Sequence, residues 1–468
     1  MPSLLPSLLS RVLPHPRPMR KLDERLGFAS AGRAALAKVF PDHWSFMLGE
    51  IALYSFVFLV LSGIYLALFF EPSTAMVVYH GRYAPMRGEE VSAAYASAVR
   101  LSWDVRGGLL VRQAHHWAAH LFIASIVLHL CRIYLTGAFR RPRELNWTIG
   151  LTMLVLAIFN AFAGYSLPDD LLSGTGLRIF NAIALSIPIV GSWLAFLAFD
   201  GEFPGQEIIQ RLYIAHVLLV PALLAVLISV HLAILIRQKH THFPGPGRRD
   251  ANVVGSRAWP AYGLRSLSLL AAVFAALLLA GGLLQINPVW AWGDFDPATV
   301  TAPSVADWYI LWIEGALRLF PPVEFQVFGF EIPNQFWCGV VLPGLIFGAL
   351  YLWPWLDRRW NDDREPHHLT GRPRESPLRV GLASAMLAFM AVLLVAGSQE
   401  LIVQWTGWTV GSVRDVLRVL VFVLPLIAGF AGRWVAESLR RSDLDHAVEL
   451  GHREMVAGLR RRNRPQAQ

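Results

Sequence analysis

Apolar positions along this chain gather into eight long runs, near residues 46–70, 115–137, 147–165, 210–236, 264–286, 336–356, 379–401 and 416–438. Each is long enough to cross a bilayer as a helix rising about 1.5 Å per residue. Two shorter intervals, 101–114 and 171–200, predict short helices or segments lying along the membrane surface. The pattern predicts an all-α polytopic membrane protein. Its parts are an N-terminal segment (1–45), a four-helix block (46–250), a second four-span block (251–440) and a basic tail (441–468).

The polar positions between the runs orient the chain. An even number of spans puts both termini on one side. The clusters "RRPR" (140–143), "RQKHTHFPGPGRR" (237–249) and "DRRWNDDREPHHLTGRPR" (357–374) all fall on that side. So do "RPMRK" near the start and "RWVAESLRR" after the eighth run. Positive charge concentrates on the cytoplasmic side of membrane proteins, so both termini are expected there. The opposite loops, such as "INPVWAWGDFDP" and "VQWTGW", are rich in the aromatic residues that favour a membrane interface. The opening "MPSLLPSLLSRVLPHPRPMRKLDERL" lacks a charged leader, an adequate apolar core and a small-residue cleavage site. It is expected to be retained.

Composition narrows the class further. Of 468 residues, 55% are hydrophobic and 16% charged, which suits a membrane protein better than a soluble one. A net charge of +8 raises the idea of a nucleic-acid partner. The charges, however, sit in short clusters between apolar runs, as topology signals do. The two cysteines, Cys131 and Cys338, form neither a zinc pattern nor a covalent haem-attachment motif, and both are expected as free thiols.

Histidines inside the apolar runs carry the chemistry. His115 and His129 in the second run are fourteen residues apart. That step is about four helical turns, so both rings leave one face roughly 21 Å apart. His216 and His231 in the fourth run are fifteen apart and share a broad face. A lone histidine in a membrane is usually a satisfied hydrogen-bonding residue. Two matched pairs on separate runs are hard to obtain that way. The two ladders can meet at two levels, His115 with His216 and His129 with His231. Such levels suit two non-covalent b-type haems, each iron held by two histidines. With no open iron position, electron transfer follows rather than oxygen binding. His116 and His120 find no partner at the right distance and read as polar contacts near the outer surface.

Glycines repeat the same step. Gly49 and Gly63 are fourteen apart in the first run, as are Gly150 and Gly164 in the third. A haem between helices needs close backbone approach, which glycine allows. Arg112 lies three residues before His115, and Arg132 three after His129. Both are candidates to pair with haem propionates, against the alternative of topology charges.

These residues resemble cytochrome b, the membrane core of the cytochrome bc1 and b6f complexes. The likeness covers nearly the whole chain and includes "GYSLPDD" (164–170), "SGTGLRIFNAIALSIPIVG" and Pro221. The single eight-span chain resembles the bc1 type, and its two ends resemble the actinobacterial form. One family motif is altered. "SVADWYILWIEGALRLFP" keeps Asp307, Trp308 and Tyr309, but Ala306 stands where the family has proline.

The resemblance implies a bacterial plasma-membrane quinol–cytochrome c reductase subunit. Quinol, menaquinol by the actinobacterial likeness, is oxidised at the outer face. One electron passes to a Rieske iron–sulfur subunit and on to a cytochrome c subunit. The other crosses through the two haems to an inner quinone site. Symmetric dimers and association with a cytochrome c oxidase are also implied. Asp307 is the candidate proton acceptor, its apolar setting raising its pKa. Tyr309 is a hydrogen-bonding partner of quinol, and Glu314 a relay. Arg237, Lys239 and His240 are candidates for the inner quinone site, with Asp23, Glu24 and Tyr134 more distant. A dihaem quinone-reactive anchor of another dehydrogenase is the competing class, although such anchors usually have fewer spans and no Asp-Trp-Tyr block. A transporter predicts broken polar helices at midplane instead.

Overall fold

The computed structural model describes residues 32, 36–201, 203–299 and 305–462; Asp23, Glu24 and "RPMRK" lie outside them. Among the described residues, eight helices are long and apolar enough to cross a membrane. In order they are Trp44–Ala67, Gly108–Thr136, Glu144–Ser166, Ile208–Gln238, Ala258–Leu283, Asn334–Asn361, Pro377–Gly397 and Val410–Asp445, here spans one to eight. All eight expected runs are therefore helical. Among the described residues the protein is all-α apart from three two-stranded antiparallel ribbons in the connections.

Two boundaries differ from the hydropathy reading. Residues 108–114 are not a separate short helix, because span two begins at Gly108. The surface helix before it is Ala93–Trp103, and Gly107, at φ 74°, makes the break between them. Arg112 therefore stands in the first turns of span two. The final helix continues beyond the apolar part of span eight, from Val410 to Arg462, through the described part of the basic tail. The 171–200 interval does hold short helices, Leu171–Leu185 and Gly191–Phe199.

Span four explains the fifteen-residue histidine step. Fifteen residues overshoot a whole number of α-turns by roughly 60°. Residues Ala215–Leu219, which include His216, form a π-turn just before Pro221. Proline has no N–H to give, and a π-turn holds extra chain per turn. The wider turn absorbs the added residue and returns His231 to the face of His216.

Span five packs on spans one and two, joining Phe58, Ala114, Ala118, Val273 and Leu277 in one core. The chain's two blocks thus meet tightly. A second core links spans six, seven and eight to the helix Trp308–Leu319 through Trp312, Ala316, Cys338, Leu393 and Leu417. Tyr309, at the start of that helix, instead sits in the core of the first block with Ala52, Phe122 and Ala157. The helix is a wedge between the blocks, and it carries Asp307 at its N-terminal cap. Both cysteines are free thiols.

Candidate functional site

Two cavities open between spans one to four, one at each histidine level. The upper, of about 540 Å³, is lined by Gly63, His115, Gly164, His216 and Arg112. The lower, of about 380 Å³, is lined by Gly49, His129, Gly150, His231 and Arg132. Four glycines from spans one and three thus meet four histidines from spans two and four.

The steric fit at each glycine is close. A Cβ on Gly63 would lie 3.3 Å from His115 Cε1, and one on Gly49 3.3 Å from His129 Cε1. On Gly164 it would lie 2.3 Å from His216 Cε1, and on Gly150 3.7 Å from His231 Cε1. The equal fourteen-residue steps in spans one and three are therefore registered on the histidines of their neighbours.

The upper rings are oriented from behind. Ser62 Oγ donates to the Phe58 carbonyl at 2.6 Å and accepts from His115 Nδ1, 2.8 Å away. His216 Nδ1 donates to the Asn160 carbonyl at 2.8 Å. Both rings therefore keep an Nε2 lone pair for a ligand, the arrangement in which an outer partner fixes a metal-binding tautomer. Their centroids are 6.1 Å apart and their planes 72° apart. At the lower level the Nδ1 atoms of His129 and His231 are buried without a hydrogen-bond partner.

Each cavity also holds an incompletely used arginine. Arg112 donates to Ser102 Oγ at 3.1 Å and the Asn287 carbonyl at 3.0 Å, but its Nη2 is buried and unpartnered. Arg132 lies 4.1 Å over the Phe46 ring, with Nε and Nη2 buried and unpartnered. Buried donors require acceptors. Paired imidazoles, close glycine backbone and unspent guanidinium donors together fit an anionic, planar, iron-bearing group at each level.

Asp307 stands against His116 and Tyr309, both of which line the upper cavity. His116 Nε2 donates to Asp307 Oδ2 at 2.9 Å, and the Tyr309 hydroxyl donates to the same oxygen at 2.6 Å. His120 Nε2 lies 3.4 Å from Oδ1. His116 and His120 are thus polar contacts, as expected, and the group both face is Asp307. Their four-residue spacing on one helical face was a usable signal. The expected rise in the Asp307 pKa is overturned. Burial alone pushes this carboxyl up, but the neighbouring His116 and His120 outweigh it and hold the carboxyl well below the usual range. Burial and the adjacent carboxylate push the Tyr309 hydroxyl up.

Glu314 is turned to another partner. It pairs with Arg318, which also pairs with Glu400. Burial still raises its carboxyl despite Arg318.

The lower cavity has a polar annex that sequence reasoning missed. Glu50 accepts hydrogen bonds from Tyr262, from Ser266 at 2.6 Å and from Tyr54 at 3.2 Å. An acid beside Gly49 within an apolar run was the available signal. Of the three nearest candidates, His240 lines this cavity, with Nδ1 buried and unpartnered. Burial first, then Lys38, Arg143 and Arg132, lower its pKa to about 4. Arg237 and Lys239 are exposed, and Tyr134 packs against Trp353 and Phe139 instead.

Eight apolar spans, with paired histidines at two depths, define an all-α polytopic membrane protein. The fold is similar to a solved structure titled "Hyperthermophilic respiratory Complex III", with a TM-score of 0.65 and 22% identity over 88% of this chain and 99% of that one. The family model "Cytochrome b(N-terminal)/b6/petB" matches residues 120–294. The cytochrome bc1 complex cytochrome b subunit of Mycobacterium tuberculosis (strain ATCC 25618 / H37Rv) is 47% identical over 455 residues, 96% of this chain and 82% of that protein. Those of Corynebacterium diphtheriae and Streptomyces coelicolor are 45% and 41% identical, over 92% and 91% of this chain and 80% and 78% of theirs. The chain belongs to the cytochrome b subunit family of the cytochrome bc1 complex and is closely related to its actinobacterial members. It is accordingly a catalytic electron-transfer subunit of a membrane enzyme.

Proposed function

We propose that this chain is the dihaem core of a quinol–cytochrome c oxidoreductase, with the His115 level at the outer face and both termini in the cytoplasm. The reading rests above all on the placement of each of four glycines against one of four histidines. His115 with His216 would hold one b haem and His129 with His231 the other, with Arg112 and Arg132 pairing their propionates. When bound, the two haems supply one-electron carriage between the membrane faces.

The remaining work falls to this chain's own side chains. Asp307 is ionised when quinol arrives, so it can accept a hydrogen bond from a quinol hydroxyl, and with His116 and His120 beside it forms the proposed proton-receiving group. Tyr309, whose hydroxyl stays protonated, orients that carboxylate and offers a donor to the quinol oxygen. The wedge helix that carries them shields the site between the two blocks. Glu314 is assigned to holding that helix through Arg318 and Glu400, rather than to the first proton transfer.

At the cytoplasmic level, Glu50, Tyr262, Ser266 and His240 form the proposed quinone-reducing annex of the lower cavity. Glu50 with its hydroxyl partners can deliver a proton to a quinone oxygen, and neutral His240 can donate a hydrogen bond. A Rieske subunit and a cytochrome c subunit are the proposed partners, in a dimer of complexes associated with a cytochrome c oxidase. Menaquinol is the proposed substrate. Purification in mild detergent tests the assignment. The complex should contain two extractable haems per chain and reduce cytochrome c with quinol. One haem, or full turnover from this polypeptide alone, would refute it.

A further inference from the structure

Two connections far apart in the sequence bring four arginines to one hollow. Arg141, between spans two and three, meets Arg358, Arg359 and Arg364 at the end of span six and just beyond it. Together with Trp355 and Asp362 they line a cavity of about 490 Å³. Arg141 Nη1 donates to the Arg364 carbonyl at 3.1 Å, which ties the two connections together. Asp362, the one acid lining the cavity, lies 3.7 Å from Arg364 Nε. Among the described residues, Arg141, Arg358 and Arg359 have no carboxylate partner. Topology signals account for basic residues near the membrane. They do not account for arginines from two connections converging on one hollow, where like charges repel until an anion joins them.

Below these arginines, span six presents an open apolar track. Gly344, Gly348, Leu352, Trp355 and Arg359 follow one another at steps of four, four, three and four residues and so share one face. Leu352 and Trp355 are exposed. A Cβ on Gly344 or Gly348 would meet no atom within 4 Å. Trp355 stands one turn, about 6 Å, below Arg359. Indole side chains favour that boundary between headgroups and chains.

We infer that this cavity binds the phosphate of an anionic phospholipid, with an acyl chain lying along the track from Trp355 towards Gly344. The guanidinium fork matches phosphate oxygens, and basic pockets beside membrane helices take anionic headgroups. A choline headgroup carries a cation that the arginines repel, so a lipid whose headgroup charge is phosphate alone is preferred. Free phosphate shares the headgroup chemistry but leaves the track uncovered. Placement in the cytoplasmic leaflet rests on the proposed orientation of the spans, whereas the binding does not.

The test uses the whole purified complex, stripped of lipid in detergent and returned to vesicles. The probe is phosphatidylglycerol with a diazirine in one acyl chain, compared with phosphatidylcholine carrying the same chain. On illumination the glycerol lipid should label span six between Gly344 and Trp355, found by peptide mass mapping, at least tenfold more than the choline lipid. A protein carrying Arg358→Gln and Arg359→Gln should lose that preference, and Arg141→Gln, on the other connection, should weaken it. Unchanged haem spectra establish that each variant is folded. Equal labelling by the two lipids, or a preference that survives in both variants, would overturn the site and leave only bulk lipid contact. Displacement of the probe by excess inorganic phosphate would overturn the lipid as occupant.

Discussion

Replacing Gly164 with alanine puts the registration of glycine on histidine under direct strain. The new methyl would sit 2.3 Å from His216 Cε1 and 2.8 Å from both ring nitrogens. Ordinary contact begins near 3.4 Å, so the ring must retreat by about 1 Å. His216 is held by its 2.8 Å hydrogen bond to the Asn160 carbonyl, which a retreat of that size would break. Overpacking costs about 1–3 kcal/mol, and a buried imidazole N–H left without its acceptor about another 1–3 kcal/mol. Even the low end, about 2 kcal/mol, exceeds a tenfold loss in retention of the upper haem. Gly150→Ala is the control, since its methyl would meet His231 Cε1 at 3.7 Å, within ordinary contact. Haem per chain and the redox-resolved visible bands of both variants provide the assay. Gly164→Ala should lose or distort the upper-haem signal well before Gly150→Ala disturbs the lower one. A Gly164→Ala protein with both haems and an unchanged upper signal would refute the steric argument, as would the reverse ranking.

Other side chains give separable outcomes. Asp307→Asn should slow quinol–cytochrome c turnover by about 10- to 100-fold with both haems retained, the range for loss of a general base; wild-type turnover would remove Asp307 as an essential acceptor. Glu50→Gln should slow quinone reduction at the lower site, read as haem re-oxidation in a single turnover, while outer-site reduction proceeds normally; equal slowing of both would argue against a separate annex. Arg143 is buried and donates to the His367 carbonyl at 2.6 Å and the Lys239 carbonyl at 3.0 Å, and contacts His368 Nδ1 at 2.8 Å. Arg143→Ala leaves those acceptors unpaired at about 1–3 kcal/mol each. The thermal midpoint should fall by several degrees without loss of haem, and an unchanged midpoint would contradict this accounting.

Much of the architecture was legible because it obeys local periodicities. Hydropathy alone located eight helices, and a helical step of fourteen linked His115 with His129 and the two glycine pairs. The fifteen-residue step in span four was visible, but its cause was not, because a π-turn is a backbone adjustment rather than a residue pattern. Long-range pairings were hidden for a different reason. His116 meets Asp307 across 191 residues and Glu50 meets Tyr262 across 212, so neither contact follows from spacing within one helix. The assumed apolar setting of Asp307 failed on that account: its neighbours are imidazoles contributed by another span. Glu314 shows a mixed case, since Arg318 four residues on was readable from sequence and the third partner, Glu400, was not.

The claim at the centre is that two histidine levels each hold a b haem. Redox-titrated visible spectra of the wild type, His115→Ala and His129→Ala test it most directly, with haem extracted and counted from the same samples. The wild type should show two separable b-type transitions and two haems per chain, the inner one at higher potential. Each variant should lose a different transition, the outer in His115→Ala and the inner in His129→Ala. A single transition in the wild type, or loss of the same transition in both variants, would contradict the account.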